Sequence, residues 1–447
     1  MASSSEKMSQ STRFGAFSKA TDLQNRIWFA LGALIVYRLG TYIPLPGINS
    51  AALKDLFSQH SSGLLGMFDM FTGGALSRMT IFALNIMPYI SASIIMQLMT
   101  TISPSLEAMK KEGANGSKRI NQYTRYLTVL ITVMQAYGIS VGLESMASGV
   151  VIEGGWFFRF TTVVTLTGGT MFLMWLGEQI TQRGIGNGIS LIIFSGIVAN
   201  LPSAVAGTLE LGRTGALSTF FILALMIMVM IVIFVIVFVE RAQRRIIVQY
   251  PKRQQSNGMA SGESTHLPLK INTAGVIPPI FAGSILGLPV TIMGLSAAGQ
   301  GGPEWVSTMM AWMGRGQPAY LLMFVFMIVF FSFFYTAVVF NPQDTAENLK
   351  KYGGFVPGIR PGKNTSDYLD KVLTRLTVIG AAYLSAICLL PEILMSKYSV
   401  PFYFGGTSLL IVVTVTMDTV TQVQSHLMAH QYEGLIKKSK LRGKRKR

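Results

Sequence analysis

The sequence is poor in charged residues and in cysteine. Only 13% of its 447 residues are Asp, Glu, Lys or Arg, about half the share of roughly 25% that is usual in soluble domains. Half of the residues are hydrophobic, so the chain lacks the polar surface that a soluble protein of this length needs. The same composition excludes intrinsic disorder, and the single cysteine, Cys388, excludes an intrachain disulfide framework.

Long apolar runs stand in place of the missing charge. Ten windows have about the 20 residues that a helix needs to cross a bilayer core, and their continuous apolarity favours helices over the alternating strands of a barrel. We therefore predict an all-α polytopic membrane protein with ten transmembrane helices. The ten windows are residues 25–43, 76–101, 126–143, 156–177, 187–207, 216–239, 273–295, 319–340, 372–390 and 402–424.

Lys and Arg are distributed unevenly between the segments that connect these windows. One alternating set of segments, which includes both termini, holds 30 of them, and the other set holds five. Because positively charged segments stay in the cytoplasm, we predict that both termini are cytoplasmic. The cytoplasmic set would contain the N-terminal segment 1–24, two long loops at 240–270 and 341–371, and a basic tail at 425–447.

The two long loops are too patterned to be plain connectors. They are interpreted either as docking surfaces for a cytosolic partner or as ordinary positively charged loops, and composition alone does not separate these alternatives.

One apolar segment, residues 63–74, is too short to cross a bilayer as a helix. It lies between the first two windows. A re-entrant helix at this place would need protein or a water-filled cavity around it, and the alternative is a helix lying on the outer surface of the membrane.

Ionisable groups are almost absent from the ten windows, and Arg38 is the only charge well inside one. A small-solute transporter usually carries a carboxylate near the bilayer midplane, so this class is disfavoured, although sodium coupling through carbonyl groups stays open. All four histidines lie outside the windows, which counts against an intramembrane enzyme with a Ser–His pair. A gated conduit driven by an external partner fits best.

No metal site and no cofactor are expected. His426 and His430 are four residues apart, a spacing that suits a metal, but no third ligand is evident in the sequence.

Several long motifs, ordered along the chain from about residue 26 to residue 432, resemble the SecY family of protein-conducting channels. The resemblance is carried by IPLPGI (43–48), GGALSRMTIFALNIMPYISASIIMQL (73–98), KKEG (110–113), NQYTRY (121–126), GTMFLMWLGEQITQRGIGNGIS (169–190), FVERAQRRI (238–246), STHLPLKIN (264–272), AGVIPPIFA (274–282), FNPQDTAENLKKYGGFVPGIRPG (340–362) and VPFYFGGTSLLIVV (400–413).

The resemblance implies two pseudo-symmetric halves of five helices each, residues 25–210 and 211–424, around a central pore. It implies a plug at about residues 64–72 and a lateral gate with polar residues Gln97 and Asn272. The plug residues would be Leu64, Leu65, Met67, Phe68, Met70 and Phe71. The pore ring would consist of Ile86, Ile90, Ile189, Ile193, Ile277 and Ile411.

The resemblance also implies partners. A SecA ATPase and the ribosome would dock on Arg244, Arg245, Lys252 and Arg360, and small membrane subunits resembling SecE and SecG would complete the channel. No nucleotide site is evident, so the chain would be a passive channel and not an enzyme. It would move precursor proteins with signal peptides across the bacterial plasma membrane, and it would release membrane segments sideways into lipid.

Overall fold

The computed structural model describes residues 21–50, 52–53, 69, 72–145, 149–215, 218–250, 254–255, 258–259, 264–286, 317–397 and 406–444. These residues are mostly helical. In chain order the helices are α1 (Thr21–Gly40), α2 (Met87–Ile102), α3 (Pro104–Lys111), α4 (Ala114–Ser145), α5 (Trp156–Arg183), α6 (Gly188–Arg213), α7 (Thr219–Arg241), α8 (Ile277–Leu286), α9 (Pro318–Val339), α10 (Pro342–Lys351), α11 (Lys363–Lys397) and α12 (Gly406–Lys444).

Two small antiparallel sheets lie between α7 and α8. Strands β1 (Gln243–Gln249) and β4 (Ser264–Lys270) pair along their whole length, from Gln243 opposite Lys270 to Gln249 opposite Ser264. Strands β2 (Gln254–Gln255) and β3 (Gly258–Met259) form the second pair.

Seven of the described helices are long and apolar enough to span a membrane: α4, α5, α6, α7, α9, α11 and α12. The prediction of a mostly helical polytopic membrane protein is therefore confirmed, while ten spans are not, and the two small sheets depart from the all-α prediction. Helix α1 carries Arg26 and Arg38 in addition to its apolar residues. Helix α2 has only 16 residues, about 24 Å of helix at 1.5 Å per residue. Beyond Leu286, the predicted window 273–295 lies outside the described residues.

The predicted helix over 76–101 is wrong in its first half. Residues 73–86 form a series of turns, and the helix begins only at Met87 with a proline in its first turn. Gly73, Gly74, Met79 and Asn85 have positive φ angles of 68°, 81°, 44° and 49°, which a right-handed helix does not allow. Apolar composition predicted burial in the membrane here but not the backbone conformation.

Helices α5 and α6 are joined by a tight turn. Gly186 has a φ angle of +87°, and the Asn187 side chain caps α6 by accepting a hydrogen bond from the Ile189 N–H at 3.1 Å. A side chain at Gly188 would collide with the carbonyl of Gly177, so α5 and α6 are in backbone contact there. This close approach fixes the position of the first turns of α6.

The two predicted long loops fold against each other. Gln249 and Phe355 exchange backbone hydrogen bonds of 2.9 and 3.0 Å, which join β1 to the chain that follows α10. Below this contact, the hairpin, the second loop and the start of α11 share a small hydrophobic core. Its buried members are Ile246, Leu269, Val356, Leu369, Val372, Leu373 and Leu376. We call this unit, residues 243–250, 264–271 and 340–376, the loop platform.

At the C-terminal end, α12 continues from the last predicted span through most of the basic tail, to Lys444. The tail contains no proline, so nothing interrupts the backbone hydrogen bonds of the helix.

Candidate pore constriction, gate and loop platform

The six isoleucines of the predicted ring lie in one buried cluster, although they come from four separate parts of the chain. Ile86 and Ile90 stand at the start of α2, Ile189 and Ile193 at the start of α6, Ile277 at the start of α8, and Ile411 in α12. Ile86, Ile90, Ile193 and Ile411 are buried, and Ile189 and Ile277 are half-buried and pack against them.

A narrow cavity lies within this cluster. Its volume is about 20 Å³, which is room for about one water molecule. Four of the six isoleucines line it, whereas Ile189 and Ile277 pack in the same cluster without lining the cavity. The full lining is Asn85, Ile86, Met87, Ile90, Ile193, Pro279, Ile280, Gly283, Ser284, Thr407 and Ile411. The lining is mostly apolar, with Asn85, Ser284 and Thr407 as its polar members.

Sequence reasoning missed several residues that line the cavity. Ile280 and Ser284 follow Ile277 by three and seven positions, and Thr407 precedes Ile411 by four. These are the spacings of one helix face, so helical periodicity counted from the ring isoleucines would have found them.

Helices α2 and α8 touch beside the cavity, where the Ser284 hydroxyl lies 3.9 Å from the Met87 sulfur. The structure does not join the two predicted gate residues by a hydrogen bond. Asn272 is 3% exposed, and its amide nitrogen donates to Glu240 Oε1 at 2.7 Å and to the Gly275 carbonyl at 3.1 Å. Within the described part of the chain, the buried Oε1 of Gln97 has no hydrogen-bond partner.

All six predicted plug residues, Leu64, Leu65, Met67, Phe68, Met70 and Phe71, lie outside the described residues. Asp69 and the chain from Thr72 onward are described. Asp69 Oδ1 accepts a hydrogen bond from the Ser77 N–H at 2.7 Å. Burial raises the pKa of the Asp69 carboxyl, because desolvation outweighs the hydrogen bonds from Ser77 and the nearby charge of Arg78.

Two arginines anchor the glycines that follow this segment. The Arg38 guanidinium donates to the Gly73 carbonyl at 3.3 Å, and Arg78 donates to the carbonyls of Gly74 at 2.9 Å and Gly73 at 3.3 Å. The Arg78 guanidinium also lies 4.3 Å above the ring of Tyr42, a favourable cation–π distance. The chain after residue 72 is therefore tied to the end of α1.

Three of the four predicted docking residues are exposed on the loop platform. Arg244 and Arg245 lie on β1, and Arg360 lies in the turn before α11, while Lys252 is outside the described residues. The turn at Arg360 is well fixed: Gly358 and Gly362 have φ angles of +81° and +108°. The Thr365 hydroxyl also donates to the Arg360 carbonyl at 2.9 Å.

Several membrane-spanning helices around a narrow apolar constriction are typical of a polytopic membrane channel. The family model for SecY matches residues 80–420, about three quarters of the chain, and the chain belongs to the SecY family. A relative from Rickettsia conorii, described as protein translocase subunit SecY, is 56% identical over 431 residues. The alignment covers 95% of this chain and 99% of that protein.

Two solved structures share the fold. The description of the first says that the plug domain of the SecY protein stabilises the closed state of the translocation channel and maintains a membrane seal. Its TM-score is 0.65 at 18% identity, and the match covers 91% of this chain and 93% of the other. The other is Sec61 in the canine ribosome–channel complex from the endoplasmic reticulum, with a TM-score of 0.62 at 17% identity and the same coverage.

Proposed function

We propose that this chain forms the channel of a bacterial protein translocase, through which unfolded precursor proteins cross the plasma membrane. The observation that carries the proposal is the cluster of ring isoleucines, which come from four distant parts of the chain and four of which line a cavity of about 20 Å³. Membership of a family whose relatives are described as protein translocase subunits supports it.

The ring is proposed to close the resting pore and to seal around a moving polypeptide. Branched apolar side chains offer no hydrogen bonds to water or to ions, so a narrow ring of them is dry without a charged gate. The same side chains also make no specific bond to any residue of a substrate, which suits a channel for many sequences.

The segment 64–72 is proposed to act as the plug on the outer side of this ring. The anchored glycines that follow it support this, since the hydrogen bonds of Arg38 and Arg78 to Gly73 and Gly74 hold its C-terminal end beside α1. A plug that leaves the pore would then pivot about this anchored end.

The seam between α2 and α8 is proposed to be the lateral gate, with Gln97 and Asn272 as its polar residues. The seam combines the weak hydrogen bond of Ser284 with Met87 with apolar packing, and lipid or an apolar substrate segment can replace such packing. A substrate segment exposed there would choose between lipid and pore by its transfer free energy. Leu, Ile or Phe at its centre favours lipid by about 0.3–0.6 kcal/mol, and a charge disfavours it by about 3 kcal/mol.

The loop platform is proposed to dock a SecA-type ATPase or a ribosome through Arg244, Arg245, Lys252 and Arg360. The three described arginines are exposed and carried on one packed unit, so a partner would meet them in fixed relative positions. Ribosomal RNA would bind such a surface with a marked dependence on salt.

We also propose that the chain has ten spans in two halves of five and that both termini lie in the cytoplasm. SecE-like and SecG-like subunits would surround the channel. The uneven distribution of Lys and Arg supports the orientation.

The decisive experiment is reconstitution of the purified channel with its small subunits in liposomes. An ATPase motor, ATP and a precursor with a signal peptide are added outside. Protection of the precursor from protease, dependent on ATP and on this chain, is the expected result. Transport of small solutes without any protection of the precursor would instead favour a transporter.

A further inference from the structure

A buried carboxylate closes the base of the β1–β4 hairpin. Glu240, in the last turn of α7, is 8% exposed, and its Oε1 accepts the hydrogen bond of 2.7 Å from Asn272. The partner is an amide and not a cation, and Lys270 and Asp418 contribute opposite charges around it. Burial of a carboxylate without a directly paired cation is costly, so we expect Glu240 to have a structural role at this place.

The hairpin and the end of α7 form one closed unit through this contact. Seven residue pairs join β1 to β4, and one more backbone bond, from the Ile271 N–H to the Ala242 carbonyl at 3.1 Å, extends the ladder toward the membrane. The Glu240–Asn272 hydrogen bond is the last link of this ladder. A displacement of the hairpin would therefore move Asn272 by nearly the same distance.

From Asn272 the connection continues to the pore. Its amide also donates to the Gly275 carbonyl at 3.1 Å, across a turn in which Gly275 has a φ angle of +63°. Helix α8 begins two residues later with Ile277, which packs in the isoleucine cluster. Ile277, which packs in the isoleucine cluster, thus lies five positions after Asn272.

Helix α11 supports the clamp from the other side. A side chain at Gly380 would stand 3.2 Å from the Ile271 carbonyl oxygen and 3.6 Å from the Asn272 Cα. The segment 271–272 is therefore held between α7 and α11, and it can transmit a movement but has little room to absorb one.

We infer that Glu240 is a positioning residue that holds Asn272 and thereby couples the loop platform to pore helix α8. A partner that moves the hairpin would move the start of α8 through this hydrogen bond. The inference rests on the proposed function, because it takes docking on the platform as the event that is transmitted.

The test uses the complete reconstituted channel with an ATPase motor and measures motor binding and precursor translocation separately. Glu240→Ala removes one acceptor, so the Asn272 amide keeps its hydrogen bond to Gly275 but loses the buried one to Glu240. It should leave motor binding unchanged and lower translocation per bound motor by roughly tenfold, the scale of one lost buried hydrogen bond. Glu240→Gln retains an oxygen acceptor at the same place and should keep most of the activity.

A swap of the two groups separates coupling from simple loss of packing. Asn272→Asp alone places two carboxylates together and should uncouple the channel. Combined with Glu240→Gln it rebuilds the hydrogen bond with donor and acceptor reversed, and translocation should return in part. If the Glu240→Ala channel does not assemble, Asn272→Asp with and without Glu240→Gln still tests the inference. Gln243→Ala, an exposed position three residues further along the chain, is the matched control and should behave as wild type.

Wild-type coupling in Glu240→Ala, or equal loss of motor binding and translocation in it, would overturn the inference. Failure of the swap to recover any translocation from Asn272→Asp would do the same. Failure of the proposed function is distinguishable, because the wild-type channel itself would then protect no precursor.

Discussion

The isoleucine ring makes a quantitative prediction about the resting channel. Ile411 is 2% exposed and lines the central cavity. We expect Ile411→Ala to make the closed channel leak ions, because it removes three carbon atoms from the wall of the constriction. The matched control is Ile236→Ala, which makes the same change at a fully buried position of α7 in a different cluster.

The size of the effect follows from the packing. Three lost carbon atoms leave room for about three more water molecules beside a cavity that has room for about one. A substitution of this kind in a packed core costs about 2–5 kcal/mol. If Ile411 packs this way only in the closed channel, the ratio of closed to open channels falls by roughly thirtyfold to a few thousandfold.

The assay is single-channel and macroscopic conductance of the purified channel in planar bilayers, without motor or precursor. Ile411→Ala should raise the resting conductance by at least about thirtyfold, the lower bound of the packing estimate, whereas Ile236→Ala should lower thermal stability and leave conductance near wild type. Equal leak in both variants would show that general destabilisation opens the channel. Wild-type conductance in Ile411→Ala would refute the reasoning about the ring.

Three further predictions concern the loop platform and the orientation of the chain. Arg360→Glu should leave insertion intact but strongly reduce motor binding and translocation. Arg360→Lys should recover both only in part, since an ammonium does not reproduce the planar guanidinium fork. Wild-type translocation by Arg360→Glu would show that Arg360 is ordinary loop charge. Gly354→Val should separate the second loop from the hairpin, because even a Cβ there would lie 2.9 Å from the Tyr250 ring. We expect faster proteolysis of the loop platform in this variant. An unchanged proteolysis rate would contradict the packing of the two loops into one unit. A cysteine in place of Arg213 should react with an impermeant reagent from outside, and one in place of Arg360 only after lysis; the reverse pattern would invert the topology.

The sequence predicts the class of this protein because a bilayer imposes one requirement on every span. The requirement is a long apolar helix, and α7 meets it with 23 residues and no charge before its last turn. The prediction fails at residues 73–86, most of which belong to a predicted apolar window but fold into turns. Turns are tolerated there because protein surrounds them: Leu76, Met79, Phe82, Ala83 and Ile86 are all buried.

The loop platform could be predicted only as two basic loops of unusual length. Its folding depends on contacts between residues more than 100 positions apart, such as Gln249 with Phe355 and Ile246 with Val356. Neither loop alone has enough apolar residues for a core, so no local pattern reveals that they fold as one unit. The Glu240–Asn272 hydrogen bond is hidden for the same reason, since its two residues stand at opposite ends of the first loop.

The constriction shows why the site itself leaves so weak a signal in the sequence. A catalytic site needs particular functional groups, and these can be recognised from residue types and spacing. A seal by dewetting needs only apolar side chains and a small width, and isoleucine is an ordinary residue for any buried helix face. The width comes from the arrangement of α2, α6, α8 and α12, which no single segment encodes.

Ile192 is an example: it is adjacent to Ile193 and equally apolar, and it is fully buried without lining the cavity. The one-residue step around α6, about 100° of rotation, decides which of the two faces the cavity. Local spacing can therefore predict which residues share a face, and only the packed bundle determines which face becomes the constriction.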